Sequence, residues 1–132
     1  MSSINLYNVS PAKRHHPIGP NEIIYSNHEV ENINLKTWNI ARIHFGVGIL
    51  RNMHLETGDR VNIIYDPDEK KMLISKADSG FKLITFSHNS IRKTIQFTAT
   101  KDMRLPENCR INFLNPVITG DKTIILDFAR RV

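Results

Sequence analysis

Basic side chains are the residues of this chain whose chemistry is easiest to interpret. Lysine and arginine number 18 against 13 aspartates and glutamates, which gives a formal net charge of +5. This balance favours a polyanionic partner, because cationic side chains neutralise phosphates. Basic clusters and strand faces supply the candidate nucleic-acid-binding residues. They are Lys13, Arg14, Arg42, His44, Lys76, Lys82, Arg92 and Lys93.

Aromatic side chains interleaved with basic ones would add base stacking. Unpaired bases stack on aromatic rings at about 1–3 kcal/mol per base. Phe81 and Phe86 bracket Lys82 and fall on opposite faces of an ideal strand, so one of them should point away from the core. The stacking candidates are Trp38, Tyr65, Phe81 and Phe86. The sequence therefore favours single strands over duplexes, which are usually read by a helix or ribbon in the major groove.

Signals for catalysis are weak throughout the sequence. The chain has one cysteine, Cys109, and no H-E-x-x-H pattern, and the adjacent His15 and His16 point apart on an extended chain. Gly46-Val47-Gly48 is only a fragment of a phosphate-binding loop. We therefore expect a protein that is not an enzyme, with no catalytic residue, no metal and no cofactor.

The elements that must position these residues follow from hydrophobic alternation, which dominates from Trp38 onward. Short apolar–polar runs with turn signals between them indicate about seven short strands. They are Ile40–Phe45, Arg60–Tyr65, Met72–Lys76, Phe81–Phe86, Arg92–Thr98, Arg110–Leu114 and Thr123–Phe128. At most one short helix is expected, at Gly46–Leu55. The prediction is a mainly β fold, a small barrel or sandwich.

The first residues of the chain have a different composition. Pro11, Pro17, Gly19 and Pro20 interrupt regular structure around the basic cluster of Lys13 and Arg14. We expect an irregular basic N-terminal arm over residues 1–34, in which 21–26 could add one short strand, and a β-rich DNA-binding domain over 35–132. The start of the sequence lacks an apolar signal core and no apolar run is long enough to cross a membrane, so the expected location is the cytoplasm, the host's if the protein is viral.

An internal repeat is the most informative pattern. Arg60–Ile64 matches Arg110–Leu114 at an offset of 50 residues, and Met53 and Leu55 match Met103 and Leu105 at the same offset. Residues 42–45 resemble 94–97 after a two-residue shift. The sequence therefore predicts two pseudo-repeats, at about 38–78 and 90–130, that together complete one fold.

The first repeat resembles the AbrB/MazE swapped-hairpin DNA-binding unit over residues 41–74, with a possible second copy at 92–128. A strand, a short excursion, the L-x-x-G-D-x-V segment of residues 55–61 and a hairpin carry this resemblance. It implies a β-rich DNA-binding scaffold that is commonly dimeric. The second copy departs from the pattern, since residues 106–109 replace the Gly-Asp turn. Phe45-Gly46 also stands where the family has a proline.

The overall character is similar to that of the small single-stranded-DNA-binding proteins that lytic phages use in replication or transcription. Size, basicity, β content and the basic arm carry this second likeness. We expect a homo-oligomer that binds single-stranded DNA with weak sequence preference. Two alternatives stay open: an AbrB-like regulator that binds double-stranded DNA, and an inhibitor or adaptor that binds a protein such as RNA polymerase.

Overall fold

The structure, a computed structural model, describes residues 18–85 and 93–129. Within these ranges the chain forms ten strands, one α-helix and one 3-10 helix. The elements are β1 (Glu22–Glu31), β2 (Thr37–Phe45), α1 (Val47–Met53), β3 (Arg60–Asp66), β4 (Lys71–Ala77), β5 (Phe81–Lys82), β6 (Ile84–Thr85), β7 (Lys93–Ala99), the 3-10 helix (Lys101–Met103), β8 (Cys109–Leu114), β9 (Val117–Ile118) and β10 (Thr123–Asp127).

The strands form two antiparallel sheets of five strands each. Sheet 1 has the order β6-β7-β2-β1-β8, and sheet 2 has the order β5-β3-β4-β10-β9. The sheets do not close into a barrel, although two chain segments connect them at their edges. Residues 81–85 lead from β5 of sheet 2 into β6 of sheet 1, and residues 109–118 lead from β8 of sheet 1 into β9 of sheet 2.

Both sheets bury one face in a single hydrophobic core. Sheet 1 supplies Ile23, Tyr25, Ala41, Ile43, Phe45 and Ile95, while sheet 2 supplies Val61, Met72, Ile74, Ile124 and Leu126. The aromatic ring of Phe128 packs edge-on against Tyr25 and Phe113, each at a centroid distance of 5.0 Å. Fully burying one such side chain stabilises the fold by about 1.5–3 kcal/mol, so this core fixes which face of each strand points outward.

A buried polar network ties the central strand β1 to the segment before β8. The Tyr25 hydroxyl donates to the Pro106 carbonyl at 2.7 Å, and Asn27 Nδ2 donates to the same oxygen at 3.0 Å. Asn39 Nδ2 in turn donates to Asn27 Oδ1 at 3.2 Å. Burial raises the pKa of the Tyr25 hydroxyl far above its usual range, so the group stays neutral.

The mainly β prediction is confirmed, and the sandwich alternative is the one observed. The helix is shorter than Gly46–Leu55, because Gly46 is extended at φ −69° and His54 ends the helix in the left-handed region at φ 55°. Ten strands replace the expected seven. The additions are β9 and β1, which extends to Glu31 the short strand that residues 21–26 could add. The described part of the expected strand 81–86 is divided at Leu83 into β5 and β6.

The largest difference concerns the predicted arm. The prediction placed residues 1–34 outside the β domain, but β1 pairs with both β2 and β8 inside sheet 1. All six residues from Glu22 to Asn27 are buried, so this half of the strand lacks the alternation by which half-buried strands are recognised. The β domain therefore begins by residue 22. Lys13 and Arg14 lie outside the described residues.

Backbone conformations recur between the two predicted repeats. His54 and Arg104 both end a short helix with positive φ, at 55° and 54°. Gly58 and Asn108 also match at the offset of 50 and both have positive φ, so asparagine keeps the left-handed conformation that the Gly-Asp turn uses. Lys70 and Lys122, at an offset of 52 residues, also both have positive φ.

Strand pairing has the form that two repeats related by a local two-fold axis would give. Ile43 of β2 pairs directly with Ile95 of β7, its own equivalent at an offset of 52 residues. Leu73 of β4 pairs with Ile125 of β10 at the same offset. β9, the continuation of β8, pairs with β10 as β3 pairs with β4. These pairings support the predicted duplication.

Candidate nucleic-acid interface

The outer face of sheet 1 brings polar side chains of four strands into one row. Ser26 of β1 pairs with Arg110 of β8 on one side and with Arg42 of β2 on the other, and Arg42 pairs with Gln96 of β7. These residues point away from the core because their chain neighbours Tyr25, Ile43 and Ile95 point into it. Arg110 and Gln96 are exposed, and Arg42 is half-buried.

The two arginines of this row flank Ser26, one on each neighbouring strand, at a defined separation. Strands lie about 4.8 Å apart, so the backbones at Arg42 and Arg110 are about 10 Å apart. Arg42 Nε donates to Gln96 Oε1 at 2.8 Å, which orients the guanidinium across β7. One bound strand of nucleic acid can therefore contact both arginines.

Aromatic rings share this outer face. Trp38 lies on β2 four residues before Arg42, about 13 Å along the strand, and 37% of its surface is exposed. His28 of β1 is exposed and pairs with Ile40 of β2. We call Trp38, His28, Arg42, Gln96 and Arg110 together the platform, because they combine stacking surfaces and cations on one flat face.

The platform has little competing negative charge. Among the described outward positions of β1, β2, β7 and β8, Glu22 is the only acidic residue, and it is 3% exposed. Its carboxylate accepts hydrogen bonds from the Gly19 backbone N–H and from Asn112 Nδ2, both at 3.0 Å. Glu22 is thus held in the fold and does not present a free charge to a ligand.

His44 lies on the outer side of sheet 1, as the alternation of β2 predicts, but it is buried there. It is 6% exposed, and its Nδ1 is hydrogen-bonded to Thr94 Oγ1 at 2.6 Å. Ile24, in register on β1, is fully buried in the same row. Alternation correctly gives the side of the sheet but does not report what covers that side, so His44 is buried and does not belong to the exposed row.

The other predicted cations do not form one track. Lys76 Nζ lies 3.4 Å from an Asp59 carboxylate oxygen and donates to the His54 carbonyl at 3.2 Å. Lys82 is exposed on β5 of sheet 2, opposite Arg60. Lys93 is half-buried and donates to Thr85 Oγ1 at 2.9 Å. Arg92 lies outside the described residues.

The remaining stacking candidates belong to a cavity between the sheets. Phe81 stacks on Phe97 with ring centroids 4.6 Å apart, and Tyr65 contacts Phe128 edge-on at 5.7 Å. Phe81, Tyr65 and Phe97 line a cavity of about 280 Å³. These rings pack on other side chains and do not join the platform. Phe86 lies outside the described residues.

The sequence interpretation missed Arg110, Gln96 and His28 as site residues. Arg110 served there only as a marker of the repeat, although its strand alternates cleanly, with Ile111 and Phe113 packed against the core. That alternation was a usable signal. The juxtaposition of Arg110 with Arg42 could not be predicted from the sequence, because it depends on β1 lying between β8 and β2.

A hydrogen bond from the backbone to a side chain stabilises the turn that carries the Gly-Asp motif. The Glu56 backbone N–H donates to Asp59 Oδ2 at 2.9 Å. This bond, together with the nearby Lys76 ammonium, holds the pKa of the Asp59 carboxyl below its usual value. Asp59 therefore stays ionised at neutral pH and orders the entry to β3.

No grouping of three or more His, Cys, Asp or Glu side chains suited to a metal ion occurs in residues 18–85 and 93–129. Cys109 is half-buried. No helix in that part of the chain has the length and hydropathy to cross a membrane.

Comparison of the chain with protein-family models, curated proteins and solved structures gave no match.

Proposed function

We propose that the protein is a non-enzymatic DNA-binding protein that binds single-stranded DNA on the platform, with weak sequence preference. The observation that carries the proposal is the placement of Arg42, Arg110 and Trp38 on one outer sheet face, on which the described residues of β1, β2, β7 and β8 offer no exposed acidic side chain. The arginines neutralise phosphates, and the indole stacks on a base. A role in replication or transcription follows from this class of activity.

The shape of the platform favours a single strand over a duplex. The row from Arg110 to Gln96 crosses four strands and is about 14 Å wide, which exceeds the roughly 12 Å width of the major groove. The one α-helix of the described chain buries Ile49, Leu50 and Met53 and is seven residues long. An unpaired strand can instead lie across the sheet, with its bases turned toward Trp38.

The test is fluorescence anisotropy with a labelled oligothymidylate and with a duplex, over a range of salt concentrations. We expect tighter binding to the single strand. In the double variant Arg42→Ala/Arg110→Ala, affinity should fall at least about tenfold, and the salt slope should decrease by about 1.4, or about 0.7 for each lost phosphate contact.

The matched control is Arg51→Ala/Lys101→Ala, which removes the same charge from two exposed positions outside the platform. It should leave affinity within about threefold of the unchanged chain, since remote charges are screened. If the two double variants lose the same affinity, the effect is one of net charge and the proposed binding at the platform is wrong. Tighter binding to the duplex would replace the single-strand proposal by the AbrB-like alternative, and no binding at low salt would favour a protein partner.

A further inference from the structure

The outer face of sheet 2 carries an apolar row that crosses four strands. Ile64 of β3 pairs with Leu73 of β4, Leu73 pairs with Ile125 of β10, and Ile125 pairs with Val117 of β9. Ile64 and Val117 are 56% and 62% exposed, and the two central residues are half-buried. Leu114 of β8, 72% exposed, lines a groove of about 590 Å³ together with Val117 and Ile125. Contiguous apolar surface of this kind marks interaction sites.

We propose that this face binds the same face of a second copy of the chain. The two-fold axis runs parallel to the strands and passes between β4 and β10. An isologous contact of this geometry places Leu73 opposite the partner's Ile125, and Ile64 opposite the partner's Val117. The most exposed apolar residues of the row thus cover each other, and this interface is independent of the platform on sheet 1.

Charge complementarity supports a second copy as the occupant. The row next to the apolar one contains Asp66, Lys71 and Asp127 in register on β3, β4 and β10. The proposed axis places Lys71 over the partner's Asp127, and the reverse pair forms by symmetry. A two-fold axis along the apolar row would instead place Lys71 over the partner's Ser75 and form no such pair.

Both charged groups also have contacts within their own chain. Lys71 Nζ lies 3.9 Å from a Glu69 carboxylate oxygen, and both side chains are largely exposed, so this ion pair is weak. Asp127 Oδ1 accepts a hydrogen bond from the Ala129 backbone N–H at 3.0 Å, which orients the carboxylate. Arg60 and Lys82 lie toward the β5 edge of sheet 2, so across the proposed axis they do not face Arg60 and Lys82 of the partner.

The size of the face sets the expected strength of the dimer. Five strands about 4.8 Å apart and up to seven residues long give a footprint of roughly 500 Å² per copy. Specific interfaces bury about 1,200–2,000 Å² in total, so this contact lies at or below the lower end. We expect a dimer that dissociates in the micromolar range and is visible by concentration-dependent sedimentation.

The decisive experiment uses Lys71→Asp and Asp127→Lys in the full chain. Each variant alone creates two like-charge contacts across the axis and should sediment as a monomer at concentrations where the unchanged chain is dimeric. An equimolar mixture of the two variants restores opposite charges at both contacts and should form a heterodimer. Positions 71 and 127 are in register within each chain, and in each variant they still carry like charges in the mixture. Recovery of the dimer therefore reports the interface and not repair of the fold.

A second pair of variants tests the apolar row. Ile64→Lys should raise the dimer dissociation constant at least about tenfold, because it places a charge in a desolvated contact. Ile33→Lys is the control, since Ile33 is 97% exposed between β1 and β2, and it should leave the dimer unchanged. A chain that is monomeric at all concentrations, a dimer indifferent to Ile64→Lys, or a mixture that does not associate would each overturn the proposal.

Discussion

Trp38 is the residue through which the proposed platform can be observed directly. It is the single tryptophan of the chain, so intrinsic fluorescence reports this position alone. We expect oligothymidylate to quench that fluorescence in parallel with the anisotropy change. Trp38→Ala should weaken binding about 5-fold to 100-fold, the loss of one base stack, while Trp38→Phe should retain most of the affinity. Saturating binding with unchanged tryptophan fluorescence would place the strand elsewhere.

His44 and Arg110 show how far single residues could be predicted from the sequence. Alternation assigned the correct side of the sheet to both, since Ile43 and Ile111 pack against the core. It could not show that His44 is buried with Thr94 while Arg110 is exposed, because burial depends on neighbours in space. The sequence therefore made Arg42 a candidate, and it did not single out Arg110, which lies beyond β1 from Arg42.

At the scale of elements, the segment 80–85 joins the two sheets and begins with a residue that must be glycine. Gly80 has φ +131°, and a Cβ there would lie 2.3 Å from the Val61 carbonyl oxygen. Gly80→Ala should lower the free energy of unfolding by at least about 2 kcal/mol, because strained φ and a backbone clash act together. Chemical denaturation monitored by circular dichroism measures this change.

Gly120 is the matched position for that experiment. A Cβ there meets no atom within 4 Å and the backbone is not in the left-handed region, so Gly120→Ala should change stability by less than about 1 kcal/mol in either direction. Equal effects of the two substitutions would show that the close approach of Gly80 to Val61 is not maintained in solution.

The strands that the sequence predicted well are those with one face in the core and one in solvent. β3 and β8 alternate between core and surface, and both were placed within a residue of their observed bounds. β1 was assigned mainly to the arm, because Glu22–Asn27 is buried throughout and Asn27 is paired in a polar network. Two-residue strands such as β9 are too short to show any period.

For the whole molecule, the two sheets divide the surface into faces of different chemistry. The outer face of sheet 1 presents arginines and an indole, and the outer face of sheet 2 presents an apolar row with charges beside it. The shared core lies between them, so one face can bind a ligand without covering the other. This separation makes the two proposals testable one at a time with Arg42→Ala/Arg110→Ala and Ile64→Lys.

The two proposals together predict how binding depends on the length of the DNA. In the proposed dimer the platforms face in opposite directions, separated by four stacked sheets or about 30 Å. A short oligothymidylate reaches one platform, so we expect one strand per chain and equal affinity for the unchanged protein and Ile64→Lys. A long strand can bend around the dimer and contact both platforms, and its second contact then benefits from a high effective concentration. The unchanged protein should therefore bind the long strand more tightly than Ile64→Lys does. Calorimetric stoichiometry and anisotropy with the two lengths measure this difference. Weaker binding of the short strand by Ile64→Lys would contradict the separation of the two faces.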